Sequence, residues 1–160
     1  MIGSIEDWTG LYREALRCLK PGGWLEHTDF DARIRCDDGS VPEGSIYEAW
    51  NSFYVEAGGK IRKTFSVTEN GQNAGWMRDA GFTGELHIKD FKLPLGTWAA
   101  EKKWKEIGAF NLLGCDYGLD GYPLYLGTEV LGWSLQEIQD LVAGVRMAMR
   151  NRSWHAYYPW

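Results

Sequence analysis

Apolar residues recur at helical spacing along most of the chain. Ile5, Trp8, Tyr12, Leu16 and Leu19 lie three or four positions apart, which predicts an amphipathic helix over residues 5–19. Ser4 precedes this run and is a favourable N-cap. The helix should stop at Pro21-Gly22-Gly23, because proline cannot continue a helix and glycine adopts left-handed turns without strain.

Five further helical segments are predicted. The second carries Ile46, Trp50, Phe53, Tyr54 and Ala57 and is closed by Gly58-Gly59, the third ends at Gly81, and Thr97 caps the fourth. Residues 118–131 are expected to be helical, with Gly132 as the stop. Ser134 and Glu137 form a capping box for the last helix.

Only two segments have the pattern of strands. Trp24–Phe30 follows the first helix and is predicted to be buried on both faces near its start. Leu86–Leu93 alternates apolar and polar residues before Pro94. Two strands among long helical segments predict an α/β fold from which most of a sheet is absent.

Composition excludes several classes of protein. The 160 residues form one domain by length, residues 1–160, and the nine Trp, eight Tyr and six Phe suit an aromatic pocket or an interface. The net charge of −5 argues against nucleic-acid binding, and no run of 18 apolar residues predicts a membrane span. Three separated cysteines favour free thiols in a reducing compartment, so we expect an intracellular, cytoplasmic protein.

The order of several motifs resembles the fungal LaeA-like family of class I S-adenosylmethionine-dependent methyltransferases. Residues 19–26 read Leu-Lys-Pro-Gly-Gly-Trp-Leu-Glu, similar to the helix–turn–strand unit that follows the cofactor site in those enzymes. Further matching runs are Asp37-Asp38-Gly39, Ala80-Gly81-Phe82, residues 105–111, residues 130–134 and His155-Ala156-Tyr157. The resemblance covers nearly the whole chain and implies the C-terminal half of such an enzyme.

The resemblance implies a helix-rich, partial Rossmann-like methyltransferase fold with only two strands. Family members begin with a strand and a glycine-rich turn that approaches S-adenosylmethionine, and an acidic residue then holds the ribose. Neither element occurs among these 160 residues, where Gly22-Gly23 and Gly58-Gly59 are helix stops. We therefore expect no cofactor to be bound by the isolated chain, and a nuclear location is possible by resemblance.

Polar residues gather where the first predicted strand ends. Alternation places His27 and Asp29 on one face of the strand and Glu26 on the other, with Asp31 just beyond. A histidine beside a carboxylate is a candidate general base, so His27 and Asp29 are the predicted catalytic residues. The alternative is that these polar residues only close a loop at the sheet edge. Glu26 and Asp31 are candidate substrate contacts.

Other candidate substrate contacts are aromatic or lie near the end of the chain. They are Trp50, Tyr54, Trp98, Phe110, Asn111, His155 and Tyr157. The aromatic residues lie on apolar helix faces, where core packing is the alternative, and Asn111 is an alternative cap for a backbone group. No metal-site pattern, Ser/His/Asp triad or phosphate-binding loop is present.

Three functions from different classes follow. The resemblance implies methyl transfer, with a partner supplying what the chain lacks. A cofactor-free enzyme is the second, cyclising or isomerising a small-molecule secondary metabolite in an aromatic pocket. The third is a non-catalytic interaction module. Strands without neighbours leave an open sheet edge, which predicts a homodimer.

Overall fold

A computed structural model describes residues 1–160, and its first unit packs α1 (Trp8–Cys18) against α3 (Gln72–Asp79). A 3₁₀ turn, Glu69–Gly71, precedes α3. The rings of Trp8 and Trp76 stack at 5.6 Å between the two helices. Helix α1 begins later than predicted because Asp7, and not Ser4, is its N-cap and accepts a hydrogen bond from the Gly10 amide at 2.7 Å.

The main core lies between α2 (Ile46–Ile61), a π-helical turn (Leu126–Leu131) and α5 (Leu135–Met149). The expected stop at Gly58-Gly59 is wrong, because α2 runs through both glycines and ends at Arg62 in the left-handed conformation. A β-carbon on Gly58 would lie 2.5 Å from the carbonyl oxygen of Lys63, so close packing explains this glycine. The Ser134–Glu137 capping box of α5 is confirmed.

Helix α4 (Lys102–Gly118) begins five residues after the predicted cap, Thr97. Its N-cap is Glu101, so Trp98 lies outside the helix. The α-helix expected over residues 118–131 is a turn followed by the π-helical Leu126–Leu131, and Gly132 ends it with a φ of +75° as predicted. Gly81 likewise follows α3, with a φ of +107°.

The fold is α/β in class, and its sheet has only two strands. β1 (Lys92–Pro94) and β2 (Tyr157–Pro159) pair antiparallel, with Leu93 opposite Tyr158. The other edge of β2 contacts the segment 31–35 through hydrogen bonds from the Asp31 amide to the Pro159 carbonyl, 2.9 Å, and from the Arg35 amide to the Tyr157 carbonyl, 2.9 Å. Strand β2 therefore lies between two neighbouring segments.

The two predicted strands are extended but mostly unpaired. Residues 24–30 belong to no strand, and of the segment 86–93 only its last two residues are in β1. Trp24 is 74% exposed, so the expected burial at the start of the first strand is wrong. An apolar sequence predicts burial only when neighbouring segments cover it, and the ring of His87, stacked on Trp24 with centroids 5.4 Å apart, leaves most of Trp24 exposed.

Candidate functional site

A cleft of about 1110 Å³ opens between the two extended segments. Its first wall is Trp24–Asp29 and its second wall is Glu85–Asp90, while Leu16 of α1, Met77 of α3 and Trp160 contribute other parts of the lining. The backbone amides and carbonyls of both walls make no hydrogen bond within the chain. The cleft is thus bordered by free strand edges.

His27 and Asp29 meet on the first wall, as their alternation predicted. His27 Nε2 lies 3.4 Å from Asp29 Oδ2, and both side chains are almost fully buried. The hydroxyl of Tyr12 lies 2.6 Å from His27 Nδ1. The α-amino group of Met1 contacts Asp29 Oδ2 at 2.7 Å, and Asp29 Oδ1 accepts a hydrogen bond from the Phe30 amide at 3.0 Å.

The Tyr12 hydroxyl is a protonated partner of His27. Burial, and secondly the charge of Asp29, raise the pKa of Tyr12 to about 12, so the phenol is protonated at neutral pH and can donate a hydrogen bond to His27 Nδ1. The other ring nitrogen, Nε2, faces Asp29 Oδ2, which also contacts the α-amino group of Met1. The cluster therefore joins a phenol, an imidazole and a carboxylate within hydrogen-bond reach of one another.

Asp31 and Glu26 lie in different surroundings. Asp31 is fully buried and accepts hydrogen bonds from the Arg33 guanidinium and the Ser66 hydroxyl, each at 2.9 Å. Glu69 contacts the same guanidinium at 2.6 Å. The carboxylate of Asp31 thus has its hydrogen-bond partners within the chain. Asp31 is absent from the lining of the cleft, whereas the exposed Glu26 belongs to that lining.

The aromatic candidates do not gather at the cleft. Trp50 and Tyr54 lie in the main core, with ring centroids 5.0 Å apart. Phe110 is 75% exposed on α4. Asn111 donates a hydrogen bond to the carbonyl oxygen of Pro94 at 2.9 Å, which is the backbone-capping alternative. A role for these residues in binding substrate stays a prediction.

A second polar cluster joins the Asp37-Asp38 turn to the end of the chain. His155 Nδ1 lies 2.5 Å from Asp38, and the Tyr157 hydroxyl donates to Asp37 at 2.7 Å. Bonds from the Ser40 hydroxyl, and secondly from His155, hold the pKa of Asp38 well below its usual range. Trp98 stacks on His155 with centroids 5.0 Å apart. This cluster holds the C-terminal segment against the Asp37-Asp38 turn.

Sequence reasoning does not predict the contact of Tyr12 with the His27–Asp29 pair. Helical spacing predicts that Tyr12 lies on the apolar face of the first helix, and this prediction is confirmed, since Tyr12 is buried beside Trp8. Its polar role depends on His27 lying across from it, with ring centroids 5.7 Å apart. Helical spacing reports which face is buried, but not which hydroxyl meets a partner from another segment.

Two simpler findings concern the rest of the molecule. All three cysteines are free, as predicted, and burial raises the pKa of the Cys115 thiol to about 11, so this thiol is protonated at neutral pH. No helix is both long and apolar enough to cross a membrane.

Comparison with known proteins gives matches over nearly the entire chain. The chain is 34% identical over 152 residues to the methyltransferase pytC of Aspergillus terreus, and the match covers 94% of this chain and 46% of that protein. The secondary metabolism regulator LAE1 of Cochliobolus heterostrophus is 31% identical over 97% of this chain and 50% of its own length. The protein-methionine methyltransferase laeA of Emericella nidulans is 28% identical over 97% of this chain and 41% of its own.

The chain is a homologue of the LaeA-like methyltransferases. It spans about half the length of the relatives it matches. No protein-family model matches the chain, and no solved structure does. The relatives themselves confirm the resemblance that the sequence motifs indicated.

Proposed function

We propose that the chain is a methyltransferase-like protein of fungal secondary metabolism whose 160 residues do not hold S-adenosylmethionine by themselves. The observation that carries this proposal is the match to proteins named methyltransferases and secondary metabolism regulators, over 94–97% of this chain and only 41–50% of theirs. The chain corresponds to one part of such a protein.

The course of the two walls supports a partial Rossmann-like sheet. The first wall continues into residues 31–35 and the second into β1, and both of these run antiparallel to β2. The two walls are consequently parallel to each other, as strands are in α/β sheets with helices on their faces. Helix α1 packs on the first wall, where Trp8 and Tyr12 contact His27. This contact supports the proposal that the two walls belong to a parallel sheet covered by helices.

The residues present do not fit the cofactor. A nucleoside cofactor in an α/β fold needs a glycine-rich turn directly after a strand, where the backbone approaches the ligand. The glycine pair at the cleft, Gly22-Gly23, comes before the first wall, and Gly23 packs on its own turn, where a β-carbon would lie 3.0 Å from the Lys20 carbonyl oxygen. No step involving the cofactor is therefore assigned to this chain.

A chimera tests whether the chain is equivalent to the matching part of a methyltransferase. In it, these 160 residues replace the matching residues of the Aspergillus terreus pytC. We expect the chimera to fold cooperatively and to bind S-adenosylmethionine with a dissociation constant within about tenfold of that of pytC, a change of at most about 1.4 kcal/mol. A chimera that does not fold, or that folds without binding the cofactor, would contradict the proposal.

The assembly of His27 and Asp29 on the cleft wall favours a second candidate function, a cofactor-free enzyme. A buried carboxylate oriented by a histidine can remove a proton from a bound substrate, and cyclisation or isomerisation of a small secondary metabolite requires such a step. The apolar side chains of Leu16, Leu25 and Met77 in the lining would hold the substrate away from water.

A further inference from the structure

A second cavity, of about 290 Å³, lies where the end of α5 meets the segment between β1 and α4. Its floor is apolar and consists of Leu95 and Met149, which are buried, and Leu112, which packs against the main core. No residue of the cleft also lines this cavity. Ligand pockets span roughly 300–1,000 Å³, so the volume suits a molecule built on a single ring.

Contacts within the folded chain fix the walls of this cavity. The indole Nε1 of Trp98 donates a hydrogen bond to the Ala156 carbonyl at 2.8 Å, and its ring stacks on His155 with centroids 5.0 Å apart. The two sides approach each other at Gly96, where a β-carbon would lie 3.5 Å from the Met149 carbonyl oxygen. Gly96 has a φ of +99°, which glycine adopts without strain. The cavity is therefore preformed.

The less buried part of the lining forms a rim of hydrogen-bond donors, namely Thr97, Asn151 and Arg152. The Arg152 guanidinium forms no ion pair and no hydrogen bond within the chain, and the Thr97 hydroxyl is also without a partner. Asn151 Oδ1 accepts hydrogen bonds from the amide and the hydroxyl of Ser153, at 3.1 and 2.7 Å, which leaves the Asn151 NH2 group unengaged. The rim thus presents mainly donors to a ligand.

The charges around the cavity favour an anion. Arg150 also lines it, but its guanidinium is paired with Asp116 at 2.7 Å. Arg146 pairs with Asp116 at 2.9 Å and with Asp120 at 2.7 Å, so both nearby carboxylates are engaged. The carbonyl end of α5 opposes an anion with about half an elementary charge. The full charge of Arg152 is larger than this, and a guanidinium keeps its proton at every physiological pH.

We propose that the second cavity binds a small organic monoanion, a carboxylate carried on one apolar ring. The carboxylate lies at the rim, where the planar guanidinium of Arg152 can donate two parallel hydrogen bonds to its two oxygens. The ring lies on the floor of Leu95, Leu112 and Met149, beside Trp98. An inorganic anion matches the rim alone, so the floor selects an organic ligand. The proposal involves neither the cofactor nor the cleft and is independent of the proposed function.

Nuclear magnetic resonance with benzoate as the probe tests the proposal on the 160-residue protein. We expect saturable shifts of the amides of residues 95–98 and 150–152, with a dissociation constant below about 1 mM. Benzamide has the same ring without the charge and should bind at least about tenfold more weakly. Arg152→Gln should weaken benzoate binding by at least about tenfold. Arg13→Gln is the matched control, because Arg13 is also exposed and without an ion pair, and it should bind benzoate like the unmodified protein.

Four results would overturn the proposal. The first is the absence of saturable shifts up to about 10 mM benzoate. The second is equal binding of benzoate and benzamide, or of benzoate and inorganic phosphate, since the charge or the ring would then not be recognised. The third is an Arg152→Gln variant that binds benzoate as tightly as Arg13→Gln. The fourth is a set of shifts confined to residues 24–29 and 85–90, which would place the ligand in the cleft.

Discussion

Gly108→Ala should destabilise the protein by about 3 kcal/mol and lower its melting temperature by roughly 6–12 °C. Gly108 is the buried residue of α4, and a β-carbon there would lie 2.0 Å from the carbonyl oxygen of Gly96 and 3.0 Å from the Pro94 side chain. A backbone oxygen cannot rotate away, so the whole helix must move off β1. Asn111, which bonds the Pro94 carbonyl, would be pulled away with it.

Gly114→Ala on the same helix is the control for Gly108→Ala. A β-carbon on Gly114 meets nothing within 4 Å, so this change should stabilise the protein by about 0.5–1 kcal/mol through helix propensity alone. Thermal or urea unfolding of both variants measures the difference. Equal effects of the two substitutions would show that α4 does not pack on β1 as closely as described.

Asp29→Asn should lower proton abstraction in the cleft by a factor of about 10² or more if the cofactor-free route operates. The amide keeps the shape of the carboxylate and its contact with the Phe30 amide, but its NH2 group can accept neither a proton nor the hydrogen bond from the Met1 α-amino group. A suitable probe is 5-nitrobenzisoxazole, in which loss of the C–H proton to the base breaks the N–O bond and gives a coloured nitrile-phenoxide. His27→Ala should also slow the reaction, because His27 Nε2 orients Asp29.

Asp90→Asn is the matched control for Asp29→Asn. Asp90 is an exposed carboxylate on the opposite wall of the same cleft and has no hydrogen-bond partner within the chain. Its substitution should leave the rate with the probe unchanged. If Asp29→Asn and Asp90→Asn react alike, with circular dichroism showing both folded, Asp29 is not the base and the His27 pair serves only to close the loop.

Local signals in the sequence predicted the elements whose stability is local. The capping box of α5 was readable because Ser134 and Glu137 contact each other within one turn. The helical spacing of α1 and the joint placement of His27 and Asp29 depended only on the periodicity of a helix and of a strand. The same holds for Gly132, whose φ of +75° ends the π-helical turn.

Features that depend on contacts between distant segments were not predictable. Gly58 read as a helix stop, but it is a close-packing position against residue 63, which only the folded chain reveals. The local pattern predicts a buried Trp24, yet only the folded chain reveals that the ring of His87 stacks on it and leaves it 74% exposed. Trp50 and Tyr54 were correctly placed on an apolar face, but periodicity cannot distinguish a core face from a pocket roof.

Calorimetric titration of the 160-residue protein with S-adenosylmethionine shows whether these residues hold the cofactor by themselves. The chain places its glycine pair before the first wall and not after a strand, so we expect no heat of binding at protein concentrations of tens of micromolar and ligand up to about 1 mM. The pytC chimera, titrated in parallel, should bind. Saturable binding to the 160-residue protein with a micromolar dissociation constant and one site per chain would contradict the account, because these residues would then hold the cofactor themselves.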